Sequence, residues 1–306
     1  MYYFDQNKWR TINKYNDEAL QGVKNLTFLQ DDPGNPNRFF AASWGYGLVE
    51  FKNNKVTRVI DERTSGSPLK PIEPYGHGYL RLSGLDVDNE GTLWMASTST
   101  SQPVYGLTRD NEWIVPDVSA YSFGSRQTVG NLVATESGNV WVVLPDRGFL
   151  IVAPDGRTKV MGLLDENGER IDAQITHITQ DKEGIIWVGT NSGIALYHDP
   201  AYVFDSGSLA ASRIVVNNTY LLKYDVVTDI VVDGGNRKWI GTANSGALLL
   251  AEDGRTQLEQ FTAENAPLPS NSIKAIGIDE SRGEVYFGTD NGLVSYRSDA
   301  RDGGEH

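Results

Sequence analysis

Short apolar runs, broken by polar turns, recur along this chain at a nearly fixed interval. The clearest copy runs from Asp181 to Gly193 and reads Asp-Lys-Glu-Gly-Ile-Ile-Trp-Val-Gly-Thr-Asn-Ser-Gly. Related runs lie at 88–97, 135–144, 233–242 and 279–289, with a degraded copy at 31–43. The large aromatic at the matching position is Phe40, Trp94, Trp141, Trp187, Trp239 or Tyr286. Subtracting successive positions gives spacings of 54, 47, 46, 52 and 47 residues. A period of that size marks a propeller, a solenoid or an array.

Within a copy the pattern predicts three or four short strands. Around Trp187 these are 173–180, 185–190, 194–197 and 213–216. Asp-x-x-Gly predicts a tight turn between the first two, because Asp caps nearby backbone and Gly accepts positive φ. Ile-Ile-Trp-Val is apolar without alternation, which fits a strand covered on both faces. Gly-Thr closes that strand, and Gly193, Gly246 or Gly292 opens the next. No stretch of helical period competes. One such unit cannot hide both of its faces, whereas radial stacking buries every sheet.

The expected fold is therefore all-β, a six-bladed β-propeller spanning 1–306 as a single domain. Six copies in 306 residues favour six blades over seven. Met1–Phe4 and Lys8–Ile12 read as the last strands of a repeat whose start is missing, and 273–297 as a repeat whose last strand is missing. Pairing the two ends would complete a blade and remove an open edge. A start in mid-blade predicts a piece of a longer multidomain protein. Loops at 64–78 and 198–212 lengthen two of the spacings.

Composition narrows the chemistry. The net charge of −13 disfavours nucleic acid as a partner. With no Cys, disulfides, thiolate metals and Cys nucleophiles are excluded. No apolar run reaches 18 residues, so no helical membrane span is expected. Asp86-x-Asp88-x-Glu90-Gly91 imitates a calcium loop, but Ser97 stands where a bidentate Glu is required. The four histidines, His77, His177, His198 and His306, show no metal-ligand spacing, and His177 reads as packed or turn-facing. Gly-x-Ser-x-Gly, P-loop and HExxH motifs are missing. The reading is a non-enzyme without metal or cofactor.

Phe261 to Thr289 reads FTAENAPLPSNSIKAIGIDESRGEVYFGT. This resembles the two-component regulator propeller repeat: Asn-x-x-Leu-Pro-Ser-Asn, a branched strand, Asp-x-x-Gly, then aromatic-x-Gly-Thr. The Trp187 and Trp239 copies match well. At Trp94 and Trp141 the Gly-Thr becomes Ala96-Ser97 and Val143-Leu144, and the Phe40 copy keeps Ala42-Ser43 and Gly47-Leu48. The run from Gly283 to Ala300 is similar to the last propeller repeat of PorZ-like accessory proteins of type IX secretion in Bacteroidota. That resemblance implies a periplasmic or surface protein that recognises anionic lipopolysaccharide and helps a sortase attach it to secreted cargo. A second branch of the family implies an extracytoplasmic oligosaccharide sensor of a hybrid two-component system. A third reading, by shape alone, is a calcium-dependent lactonase-like hydrolase.

The candidate binding residues lie in loops that a propeller would gather on one face. Trp44 and Tyr46 follow the second strand of the first copy. Tyr75, His77 and Tyr79 enter the second copy. Tyr121, Phe123 and Arg126 enter the third, and Arg147 follows its second strand. Tyr220 and Tyr224 enter the fifth. Aromatic rings stack on sugar faces and Arg pairs with phosphate or carboxylate, which suits an anionic glycan. The competing reading is that several of these rings anchor long loops.

Overall fold

The computed structural model describes residues 1–5, 8–73, 75, 79–205 and 209–298. Among these, only Glu18–Leu20 and Pro200–Tyr202 are helical, each a single 3₁₀ turn. The rest of the regular structure is antiparallel sheet. The chain divides into two compact units, residues 1–144 with 150–160, and residues 145–149 with 161–306.

The first unit opens with a hairpin, Tyr2–Asp5 against Lys8–Thr11. A sheet around Phe40 follows, built from Leu26–Asp31, Arg38–Gly45, Gly47–Lys52 and Lys55–Ile60. The sheet around Trp94 comprises Leu80–Val87, Leu93–Ser97, Val104–Leu107 and Trp113–Ile114. Leu132–Ala134, Val140–Leu144, Gly148–Val152 and Thr158–Met161 form the sheet around Trp141. Phe40, Leu48, Leu80, Leu82, Met95 and Tyr105 form the core between the first two of these sheets. Trp94, Val104, Leu132, Val142 and Leu150 form the next core layer. The hairpin lies over the other face of the Phe40 sheet, where Ile12 and Leu20 pack with Ala41, Val49 and Phe51.

In the second unit, Ile175–Gln180, Ile186–Thr190, Gly193–Tyr197 and Ser212–Arg213 form the Trp187 sheet. Val227–Val232, Lys238–Thr242, Ala247–Leu250 and Gln257–Phe261 form the Trp239 sheet. Ile273–Asp279, Glu284–Thr289 and Gly292–Arg297 form a three-stranded sheet around Tyr286. Trp187 sits in a cluster with Ile230, Ile240, Leu248 and Leu250 of the next sheet. Trp239 does the same with Ile273, Val285 and Phe287. Every motif aromatic of the Trp copies is buried, so these rings are core.

One coupling joins the turn to the core. Asp181 Oδ1 accepts the Glu183 and Ile185 amides at 3.0 and 2.9 Å, while Oδ2 accepts Trp187 Nε1 at 2.9 Å. Asp88 serves Glu90, Thr92 and Trp94 in the same way. Asp233 does so for Gly235, Arg237 and Trp239. The Asp of the turn thus orients the Trp six residues later. The left-handed position of the turn is Gly184 at φ +82°, but in the Trp239 copy it is Asn236 at φ +58°.

The predicted strand 213–216 is broken. Ser212–Arg213 pairs with Leu196 and Ala195, Ile214 turns into the core, and Val215–Val216 pairs instead with Thr219–Tyr220. Asn217 and Asn218, at φ +49° and +67°, supply the type I′ turn that makes this local hairpin.

Candidate functional site

Strand Arg38–Gly45 belongs to two sheets at once. Residues 38–43 pair with Lys52 through Gly47, but Trp44 pairs with Arg81 and Gly45 with Leu80. The backbone can turn this corner because Gly45 and Gly47 stand at φ +146° and +78°. A Cβ on Gly47 would lie 2.3 Å from the Ile60 carbonyl oxygen. Ser43 Oγ locks the bend, donating to the Lys24 carbonyl at 2.7 Å and accepting the Tyr46 amide at 3.1 Å.

The corner turns its aromatic residues outward. Trp44, Tyr75 and Tyr79 are 37%, 67% and 45% exposed. The Arg81 guanidinium lies 5.3 Å from the Trp44 ring centroid, a cation–π contact. Tyr75 and Tyr79 pair their rings at 5.3 Å and 35°. Their loop is pinned by the Ile72 amide donating to the Tyr79 carbonyl and the Tyr75 amide donating to that of Ile72. Tyr46, half-buried, bridges to Leu80. The structure therefore places Trp44 and Tyr46 at this corner and Tyr75 and Tyr79 in the loop that leads into it, and adds Arg81. His77 lies outside the described residues. Among the described residues no carboxylate pairs with Arg81, so its charge is available to a ligand anion.

A backbone relay ties this corner to the third candidate loop. Thr98 N donates to the Arg81 carbonyl and Ser99 N to that of Gln127, each at 3.0 Å. Arg126 is exposed there, beside a notch of about 390 Å³ lined by Ser122 to Gln127. Tyr121 and Phe123 are half-buried, and Phe123 also borders the notch. They meet edge to face at 6.2 Å and pack on the Trp94 core, and the Tyr121 hydroxyl donates to the Thr158 carbonyl at 2.9 Å. These two rings anchor the loop that presents Arg126.

The remaining candidates lie in the second unit. Arg147 is exposed. Tyr220 is exposed and lies under the Arg213 guanidinium at 4.2 Å. Tyr224 is almost fully exposed, with Lys223 Nζ 5.4 Å from its ring. Arg81 and Arg213 are the functional candidates that sequence reading missed. Each sits in an ordinary strand pattern, and neither cross-strand partner is near it in sequence.

The acidic groups beside these elements are occupied by structure. Asp86 accepts the Val87 and Ala134 amides at 2.9 Å, linking two sheets. Burial pushes its carboxyl up to about 6, Asp88 adds to the rise, and the two amides oppose it. With Asp88 turned to Trp94, the calcium-like run spends its first two carboxylates on N–H groups. His177 faces Asp229 at 3.4 Å, and Asp229 in turn accepts the Ile276 amide at 2.7 Å. That is a packed strand histidine. The exposed corner offers aromatic faces and an uncompensated cation, which suits stacking and anion pairing.

A family model described as the two component regulator propeller matches residues 170–192, the Trp187 copy. No curated protein sequence matches the chain. Among solved structures, the chain is similar to PorZ, an essential bacterial surface component of the type IX secretion system of Porphyromonas gingivalis. Identity is 25% and the TM-score 0.83, over 99% of this chain and 43% of that one. It is also similar to the extracellular domain of a hybrid two component system from B. thetaiotaomicron, at 13% identity and TM-score 0.66, over 96% and 35% of the two chains. A gluconolactonase from Xanthomonas campestris matches at 13% identity and TM-score 0.55, over 89% and 86%. The last two likenesses speak for the fold alone. The resemblance to the regulator propeller repeat and to PorZ-like proteins is borne out, and the fold is of the β-propeller kind. The chain spans less than half the length of the PorZ chain it matches.

Proposed function

We propose that this chain is a non-catalytic binding propeller of a type IX secretion accessory protein, working outside the cytoplasm in the periplasm or at the outer surface. It recognises an anionic lipopolysaccharide or glycan and assists attachment of cargo to the surface, with a sortase or another secretion component as protein partner. The observation that carries this reading is the corner at Trp44: an exposed Trp44 ring against an Arg81 that has no carboxylate partner among the described residues, with the exposed Tyr75–Tyr79 ring pair in the loop that enters the strand of Arg81. Sugar rings stack on such faces, and a guanidinium takes a phosphate or carboxylate substituent. The likeness to PorZ supports the secretion role.

A second reading is favoured by the likeness to the extracellular domain of a hybrid two component system, which supports the fold of an oligosaccharide sensor. The lactonase reading has only a shared fold behind it. The finer fold reading belongs to the same proposal: six blades in one ring, closed by the terminal strands, forming one domain of a longer protein. A cysteine pair placed in Lys8–Thr11 and Gly292–Arg297 would cross-link under mild oxidation if the ring closes there, and would stay reduced otherwise.

The binding test uses vesicles carrying anionic lipopolysaccharide beside neutral phosphatidylcholine vesicles. Retention on the first alone, lost in Trp44→Ala, supports the proposal. Equal retention on both, or none, sinks it.

A further inference from the structure

The second unit holds a groove of about 490 Å³ that plays no part in the proposal above. It is built between two irregular segments. One is the turn around Asp165, closed by the Leu164–Arg170 bridge. The other is the hairpin through Val215 and Tyr220. The Ala211 amide, donating to the Leu164 carbonyl at 2.7 Å, holds the two together. The turn lies between two repeats and the hairpin departs from the repeat's fourth strand, and irregular loops on a rigid scaffold are where new contacts arise.

Arg213 and Tyr220 line one side of the groove, and Asp165, Glu166, Asn167 and Asp172 line the other. The Arg213 guanidinium lies on the Tyr220 ring, and its Nη2 donates to the Ser192 carbonyl. Its Nε is buried without a hydrogen-bond partner among the described residues. Among the described residues no carboxylate pairs with it, although three line the same groove. Asp165 Oδ1 is taken by the Asn167 and Glu169 amides, each at 2.9 Å. Among the described residues no bond of this kind ties down Glu166 or Asp172, and both are exposed.

The charges decide what fits. Three carboxylates repel a free anion. A guanidinium inside the same groove penalises a bare cation placed beside it. What remains favourable is a neutral ligand rich in hydroxyls. Vicinal hydroxyls donate to a carboxylate, a hydroxyl or ring oxygen accepts from Arg213, and the apolar face of a pyranose lies against an aromatic edge. The volume falls in the range of about 300–1,000 Å³ typical of small-molecule sites. We infer that this groove binds a neutral saccharide of one or two rings. The inference stands on residues separate from the Trp44 corner and does not depend on what that corner binds.

The test is saturation-transfer NMR on the whole chain with maltose, cellobiose and methyl mannoside. Glucuronate and glucosamine serve as charged counterparts. At sugar concentrations of about 10 mM, weak sites are still visible. At least one neutral sugar is expected to show transfer, reduced roughly fivefold or more in Asp172→Asn and in Tyr220→Leu. Tyr15→Ser, a surface change elsewhere, keeps the wild-type signal. Asp172→Asn alters one exposed carboxylate and keeps its size, so it remains decisive if Tyr220→Leu misfolds. No transfer from any neutral sugar, transfer unchanged in both variants, or stronger binding of either charged counterpart overturns the assignment.

Discussion

Two junctions between neighbouring sheets solve the same packing problem in opposite ways. Between the Trp187 and Trp239 sheets the seam is a side-chain latch. Lys238, wholly buried, reaches Asp181 Oδ2 at 3.0 Å, donates to the Glu252 carbonyl at 2.9 Å and stands 5.1 Å over the Trp187 ring. The aromatic there is fully enclosed. Between the Phe40 and Trp94 sheets the seam is backbone, through Trp44–Arg81 and Gly45–Leu80. Backbone pairing buries Leu80 in the core and leaves the Trp44 ring at the surface, with the Arg81 guanidinium against it. The same kind of repeat thus makes core where side chains close the junction and a surface platform where the main chain does.

The sharpest way to break this comparison is at Asp181. Asp181→Ala leaves the Lys238 ammonium buried without its partner and takes the acceptor from Trp187 Nε1 and two amides. Removing one member of a buried pair costs about 3–5 kcal/mol. Asp88 makes the same turn and Trp contacts without a lysine, so Asp88→Ala should cost only about 1–3 kcal/mol. Lys238→Met in the Asp181→Ala background should recover part of the loss, since the stranded charge is gone. Urea unfolding of the four proteins measures this. Equal costs at Asp181 and Asp88 would mean that the lysine contributes nothing to the seam.

A second buried aspartate sharpens the contrast by having no cation. Asp86 carries two amide bonds and a carboxyl pushed up from 3.8 to about 6. For an acid whose folded pKa is raised, the favourable contribution is complete below the unfolded value. It is lost as pH rises toward the folded one. A shift of that size corresponds to about 2–3 kcal/mol lost between pH 4 and pH 7. Asp86→Asn removes the titration, so the wild type should lose stability relative to the variant over that window. A constant difference from pH 4 to pH 7, read by chemical denaturation, would show that the buried carboxyl does not titrate there.

The seams explain how far the sequence could be read. The interval between aromatics, the turn and the apolar strand are local, and each motif aromatic lies in a strand of the structure. Ile273–Asp279 and Glu284–Thr289 fall where the pattern placed them. The Asp-to-Trp hydrogen bond is not legible in the motif although both residues lie in it, because Asp before Gly signals a turn and Trp in an apolar run signals core, and neither signal carries a pairing. The break at Ile214 is hidden, since the β-branched run after Arg213 reads as one strand, and the positive φ of Asn217 and Asn218 draws Val215 and Val216 into a local hairpin instead. Of the proposed site, Trp44, Tyr46 and Tyr75 were visible as aromatics beside glycines and prolines. Arg81 was not, because its partner lies 37 residues away across a junction that the repeat rule does not contain. Tyr121 and Phe123 carried the same aromatic-loop signal yet pack inward, so composition alone does not separate an anchor ring from a binding ring.

The gentlest probe, and the one closest to function, is Arg81→Ala. Its backbone bonds to Trp44 survive the change, and no carboxylate among the described residues loses a partner. Stability should therefore move by less than about 1 kcal/mol, the size of an exposed cation–π contact. Retention on anionic lipopolysaccharide vesicles should nonetheless fall about tenfold, because one charge-assisted contact is worth roughly that factor. Arg81→Lys keeps the charge but loses the planar stack on Trp44, and should fall between the two. Raising salt should narrow the gap between wild type and Arg81→Ala, since screening weakens a half-buried surface charge and leaves ring stacking in place. A platform that binds through its rings alone would show no gap at any ionic strength, and the corner would then be an aromatic surface without charge selectivity.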